Sequence, residues 1–245
     1  MTMKYARQLL VLACMFSGSA LAANAKIEQL QTLTQNEFKL LSEDLGGALN
    51  FKTVVPAEPL GLTGFDLGFE LAATQINHGD LLQKAAGSSD ALDTVYLPKF
   101  HVQKGLPFDL DLGAFYSSVS ESNIKVWGGA LRYALLAGGV AMPALALRGA
   151  ASRVQGVEQL EFTTAGVDLL ISKGFAMLTP YGGVGQLWVS SKPQGTAQNV
   201  LANESFSQTR VFVGANIGLA LFNVGGEWDR TGSVNTYTLK FGLGF

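Results

Sequence analysis

From residue 63 to the C-terminus the hydrophobic period is two residues, and it is sustained over segments of 9 to 14 residues. In the last segment Tyr237, Leu239, Phe241, Leu243 and Phe245 alternate with Thr236, Thr238, Lys240, Gly242 and Gly244. Similar alternations run through Phe65–Leu71, Tyr96–Val102, Phe108–Tyr116, Trp127–Leu135, Val167–Ile171, Val211–Ile217 and Phe222–Trp228. Strands of soluble proteins average ~5–6 residues, whereas a tilted strand that crosses a bilayer needs ~9–11. A secreted β-sandwich would use shorter strands and hide its apolar face. Length and period together predict an all-β fold: a transmembrane antiparallel up-and-down β-barrel.

Ten strands are expected, over 63–74, 94–104, 107–119, 123–135, 142–154, 160–172, 176–190, 206–218, 221–230 and 234–245, within a range of 8–12. Residues 75–93 and 191–205 are long and polar. The connections at 105–106, 136–141, 173–175 and around Ala220 are short. Bacterial barrels put short turns in the periplasm and long loops outside, and an even strand count with both ends periplasmic agrees with that. Residues 47–55 are a candidate additional strand.

Charged residues make up only 15% of the chain, against roughly 25% in soluble domains. The sequence pI of about 5.7 and formal net charge of −2 lack the basic footprint of a nucleic-acid binder. A single cysteine excludes a disulfide scaffold. The longest uncharged apolar stretch after residue 22, Tyr133–Leu147, is broken by Gly138-Gly139 and Pro143, so it cannot be a spanning helix.

Residues 1–22 have the layout of a secretory leader. Lys4 and Arg7 supply the basic start, Leu9–Phe16 the apolar stretch, and Ala20-Leu21-Ala22 the small-residue cleavage site. The apolar stretch is too short for a membrane anchor. Cys14 permits a second reading, a lipoprotein processing site. Cleavage after Ala22 leaves a mature chain without cysteine, which suits an oxidising compartment.

The ending Tyr237-x-Leu239-x-Phe241-x-Leu243-x-Phe245 resembles the C-terminal signature of the Gram-negative outer-membrane β-barrel superfamily. The resemblance covers 63–245 by pattern and selects no narrower family. It implies an outer-membrane location, lipid as the surrounding partner, and these five residues as the signal read by the barrel assembly machinery. Tyr96, Trp127, Tyr133, Trp188 and Trp228 are candidates for the aromatic girdles.

The alternation turns Asp66, Glu70, Asp109, Asp111, Asp168, Glu227 and Asp229 inward, with Lys99, Arg132, Arg148, Arg210 and Lys240, and His101 nearby. Such a balanced set either fills the lumen as a salt-bridge network or tunes ion passage through a narrow pore. Ten strands lie near the size that side chains fill.

Residues 23–62 form the remaining segment. Ile27, Leu30, Leu33, Phe38, Leu41 and Leu45 give a helical apolar stripe over 26–45, Gly46-Gly47 stops it, and Pro56-Ala57-Glu58-Pro59 leads to the barrel. A periplasmic helix at the barrel base is expected. The alternatives are a lumen plug and a partner-binding helix.

No motif of a metal site, nucleotide loop or hydrolase carries weight. His101 with Ser117 and an intervening aspartate is a conceivable triad without a family motif around it. His78 with Asp80, Asp90 and Asp93 lies on one loop. The expectation is a non-enzymatic barrel without cofactor or metal, whose loops or helix bind a periplasmic or other partner or support envelope integrity. A narrow channel for small solutes is the alternative, and an outer-membrane hydrolase a further one. No nucleic acid is implied.

Overall fold

The computed structural model describes residues 26–88, 93–118 and 122–244. The leader expected over 1–22, Asp90 and Phe245 lie outside them. Ten strands close into one barrel in which each pairs with its sequence neighbour and β1 pairs with β10. The strands are β1 Phe65–Gln75, β2 Thr94–Leu106, β3 Leu110–Ser118, β4 Lys125–Ala137, β5 Ala144–Gln155, β6 Leu160–Ser172, β7 Leu178–Pro193, β8 Glu204–Leu219, β9 Phe222–Thr231 and β10 Val234–Gly244. Their ends fall within three residues of those expected from the period. Closure leaves no row of unpaired N–H and C=O groups, which a bilayer would not tolerate.

Burial alternates along most of the wall, as through β3 and the first ten residues of β4. The outward positions carry a belt of exposed apolar side chains that includes Phe100, Leu112, Leu131, Leu147, Leu169, Val213 and Leu239. Tyr96, Trp127, Tyr133 and Trp188 are exposed on the same outer face, and Trp228 is half-exposed.

One end of the barrel bears the turns 107–109, 138–143, 173–177 and 220–221 together with the start of β1. The other, the long-loop mouth, bears the β1–β2 and β7–β8 loops. The turn 107–109 holds Phe108 and Asp109 in the left-handed region, at φ 65° and 57°. Asp109 is therefore exposed in a turn and does not line the lumen, contrary to the inward position expected for it.

The N-terminal segment departs most from expectation. Helix α1, Gln35–Leu49, begins with a capping box. The Thr34 hydroxyl accepts from the Glu37 N–H, and the Glu37 carboxylate accepts from the Thr34 N–H at 2.7 Å. The helix does not lie at the base. It occupies the long-loop mouth, where Phe38, Leu41, Leu45 and Leu49 join inward wall residues Leu97, Phe115, Val126, Phe162 and Val189 in one core cluster. The upper lumen is thus apolar, and an apolar stripe suits it.

Gly46 and Gly47 do not stop the helix. A Cβ on Gly47 would lie 2.0 Å from Val234 Cγ2, so these glycines allow the helix to approach the wall. In the first long loop a second helix, α2 (Gly79–Ala86), buries Leu81, Leu82 and Ala85 in the same cluster. Below α1, residues 50–60 carry no strand. They run in extended form down the lumen and emerge at the short-turn end just before β1.

Candidate functional site

The lower lumen is the polar site of the molecule. Asp66, Glu70, Lys99, His101, Asp111, Arg132, Arg148, Asp168, Arg210, Glu227, Asp229 and Lys240 are all buried there. Their strands set them one above another on the inward face, so neighbours in register become partners. Arg148 and Asp168 are opposite on β5 and β6 and meet at 2.6 Å. Arg132 and Asp111 are opposite on β4 and β3 and meet at 2.7 Å. Lys99 and Glu70 are opposite on β2 and β1 and meet at 2.9 Å.

Arg210 is the hub. It lies 3.2 Å from Asp168 and 3.1 Å from Glu227, and it also pairs with Asp229. Tyr181 donates to Glu227 at 2.9 Å. Lys240 reaches Asp66 at 2.6 Å, and His101 lies between Asp66 at 3.0 Å and Glu70 at 3.2 Å.

The same side chains hold the backbone of residues 52–60. The N–H groups of Val54, Ala57 and Leu60 donate to Glu70, Ser172 and Asp111, each at 3.0 Å. In the other direction Lys99 donates to the Lys52 carbonyl at 2.6 Å, Lys240 to that of Val54 at 3.2 Å, and Arg132 to those of Pro56 and Glu58. An extended chain in a barrel has no ladder partner, and its polar groups must be met by side chains. Here the wall meets them with charged groups, which make the stronger hydrogen bonds.

Sequence reasoning missed Lys52. Its ammonium is buried, 3.1 Å from Asp229 and 2.6 Å from the Thr236 hydroxyl. The buried wall residues named above include six carboxylates but five Lys and Arg side chains. Lys52 makes the sixth cation. The excess of carboxylates over Lys and Arg in the inward set was the available signal.

Space in the lumen is small. The voids beside Phe51, one next to Asp168 and Arg210 and one next to Asp111 and Arg132, measure ≈ 10 Å³ each. That is about the minimum for a single water, so the segment packs closely against the wall beside Phe51.

Ser117 and His101 are each engaged with other partners. The Ser117 hydroxyl donates to the Pro98 carbonyl, while His101 is held between two carboxylates. Among the described residues no group of three or more His, Cys, Asp and Glu is placed to hold a metal. The backbone N–H and ring of His78 meet Asp44 of α1, at 2.8 and 3.1 Å.

Burial raises the Asp44 carboxyl above the usual aspartate range, and the His78 contacts act against that rise. The exposed Glu37 carboxyl is held down at about 2, first by the Thr34 N–H and then by Lys84, 2.9 Å away on α2. Both contacts tie the plugging helix to the mouth.

No family model matches the chain, and no curated protein matches it. Among solved structures it is similar to the N-terminal β-barrel domain of Pseudomonas aeruginosa OprF, at 10% identity and a TM-score of 0.38 over 74% of this chain and 97% of that one. The outer membrane protein OprG of the same organism gives 10% identity and 0.37, over 78% and 99%. The translocator domain of the autotransporter NalP from Neisseria meningitidis gives 9% and 0.39, over 76% and 88%. At these values the likeness is that of one barrel to another, and no activity follows from it.

Proposed function

We propose that the chain is a non-enzymatic outer-membrane barrel, closed by its own N-terminal segment, that presents its long-loop mouth to a partner or supports the envelope as a rigid wall element. The single observation that carries this reading is the hydrogen-bonding of residues 52–60 by the lumen charges. Six carboxylates and six cations are committed to one another and to this backbone, leaving none free to select ions. The outward apolar belt with its aromatic residues supports membrane insertion, and the leader pattern supports export.

The binding face would be the mouth. Residues Lys26–Glu28 lie there beside Asn123 and Gln159 and line a hollow of ≈ 460 Å³ with them. A narrow solute channel would require residues 50–60 to leave the lumen.

Planar-bilayer recording on the chain from Ala23, folded in detergent and checked by heat-modifiable mobility, tests the reading. The expected result is a folded, inserted protein without discrete conductance steps. Reproducible steps whose ion selectivity follows the charge at Arg132 or Asp111 would overturn it in favour of the channel.

A further inference from the structure

The outer wall is not uniform. Across β4 to β8, near the long-loop mouth, it carries an open hollow of ≈ 840 Å³, within the ~300–1,000 Å³ range of ligand sites. Trp127 on β4 and Trp188 on β7 are its side walls, and Ala151, Thr163 and Ala165 lie between them. Three strand spacings separate the two indoles, roughly 14 Å along the sheet.

The level of the hollow is informative. Toward the short-turn end the outward residues of these strands are apolar, with Leu131, Leu147, Val167, Val184 and Val211 all exposed. Toward the mouth they become charged. Arg153 is opposite Trp127, and Glu161 is opposite Lys192. Arg153 and Lys192 both lean on Glu161, at 3.9 and 3.4 Å. Lys125 begins β4 two residues before Trp127. Three cations therefore face one carboxylate along this rim, at the height where the wall changes from apolar to charged. That height is where headgroups sit and where Trp side chains anchor.

We infer that this hollow is a binding site for a net-anionic lipid with an exposed phosphate headgroup, in the leaflet on the long-loop side. The upper acyl chains would pack between Trp127 and Trp188, and the phosphate would rest on Arg153, Lys192 and Lys125. The inference rests on the membrane-spanning reading. A purely apolar occupant would leave the rim charges unused, and a basic partner would be repelled by them.

Native mass spectrometry of the detergent-folded chain tests it, with phosphatidic acid and phosphatidylcholine of identical acyl chains as probes. The expected result is one phosphatidic acid retained per barrel, bound about tenfold or more tightly than phosphatidylcholine, given ~1 kcal/mol per basic residue near a lipid surface. Arg153→Glu with Lys192→Glu removes the preference. Ala165→Trp, which fills the hollow from outside the lumen, weakens both lipids, and Ala151→Leu serves if that variant does not fold. Equal retention of the two lipids, an unchanged preference in the double variant, or a dimer mass in place of lipid adducts would overturn the site. Failure to insert into vesicles at all would instead overturn the membrane reading itself.

Discussion

Replacing Arg210 by Met should lower the stability of the folded barrel by about 3–5 kcal/mol, the cost of removing one member of a buried charge cluster. Arg210 bridges Asp168, Glu227 and Asp229. Methionine fills similar space but takes the one cation paired with Glu227 and one of two from Asp168, which keeps Arg148, and from Asp229, which keeps Lys52. The guanidinium also stacks 4.5 Å from the Phe212 ring centroid, a further contact that Met loses. Denaturant midpoints of the heat-modifiable form, compared with wild type, measure the effect. Arg153→Met on the outer wall is the control, since its ion pair is exposed and such pairs contribute about 0–1 kcal/mol. A loss below 1 kcal/mol for Arg210→Met would mean that the lumen is wet enough to screen its charges, contrary to the packing described.

Replacing Lys52 by Glu should expel the segment while leaving the wall intact. The new carboxylate would sit beside Asp229, where Lys52 now supplies the sixth cation against six carboxylates. The wall keeps all its own pairs. The repulsion therefore falls on the one interaction between segment and wall that carries full charge on both sides. Amide hydrogen exchange reports it: the N–H groups of Val54, Ala57 and Leu60 are protected in the native chain by their wall acceptors and exchange quickly once released. The same variant should show conductance steps that the native chain lacks. Retained protection with a silent bilayer would show that the segment is held by packing of α1 rather than by the charges below it.

The barrel was legible because a single physical cause, lipid outside and polar groups inside, imprints the same two-residue period on every strand. The ten strands and their ends follow from that period alone. The inward charges followed by parity, and parity failed only at Asp109, where the strand pattern was carried into a turn that needs left-handed residues.

The segment 26–60 was harder for two reasons. First, its fit to the lumen depends on which wall residues it meets. Phe115 shares the parity of Asp111 and Ser117 yet lines an apolar upper level, a division of the lumen that parity alone does not reveal. Second, residues 47–55 read as a candidate strand, but the backbone partners of residues 52–54 are Glu70, Lys99, Arg148 and Lys240 rather than a neighbouring ladder. No local signal distinguishes those two fates. Gly46-Gly47 matched a helix stop, whereas their use is close approach to Val234.

The position of the segment inside the barrel can be measured directly by a cysteine pair at Val54 and Gly225. A Cβ built on Gly225 lies 2.6 Å from Val54 Cγ1, so the two sites are close enough for a disulfide, whose Cβ atoms sit ~3.5–4.5 Å apart. The single cysteine of the sequence is Cys14, which a chain starting at Ala23 lacks. In the folded, heat-modifiable protein the account expects the pair to oxidise nearly completely, with single-cysteine controls unchanged. Two free, reactive thiols in a folded barrel would contradict it and return the N-terminal segment to the outside of the lumen.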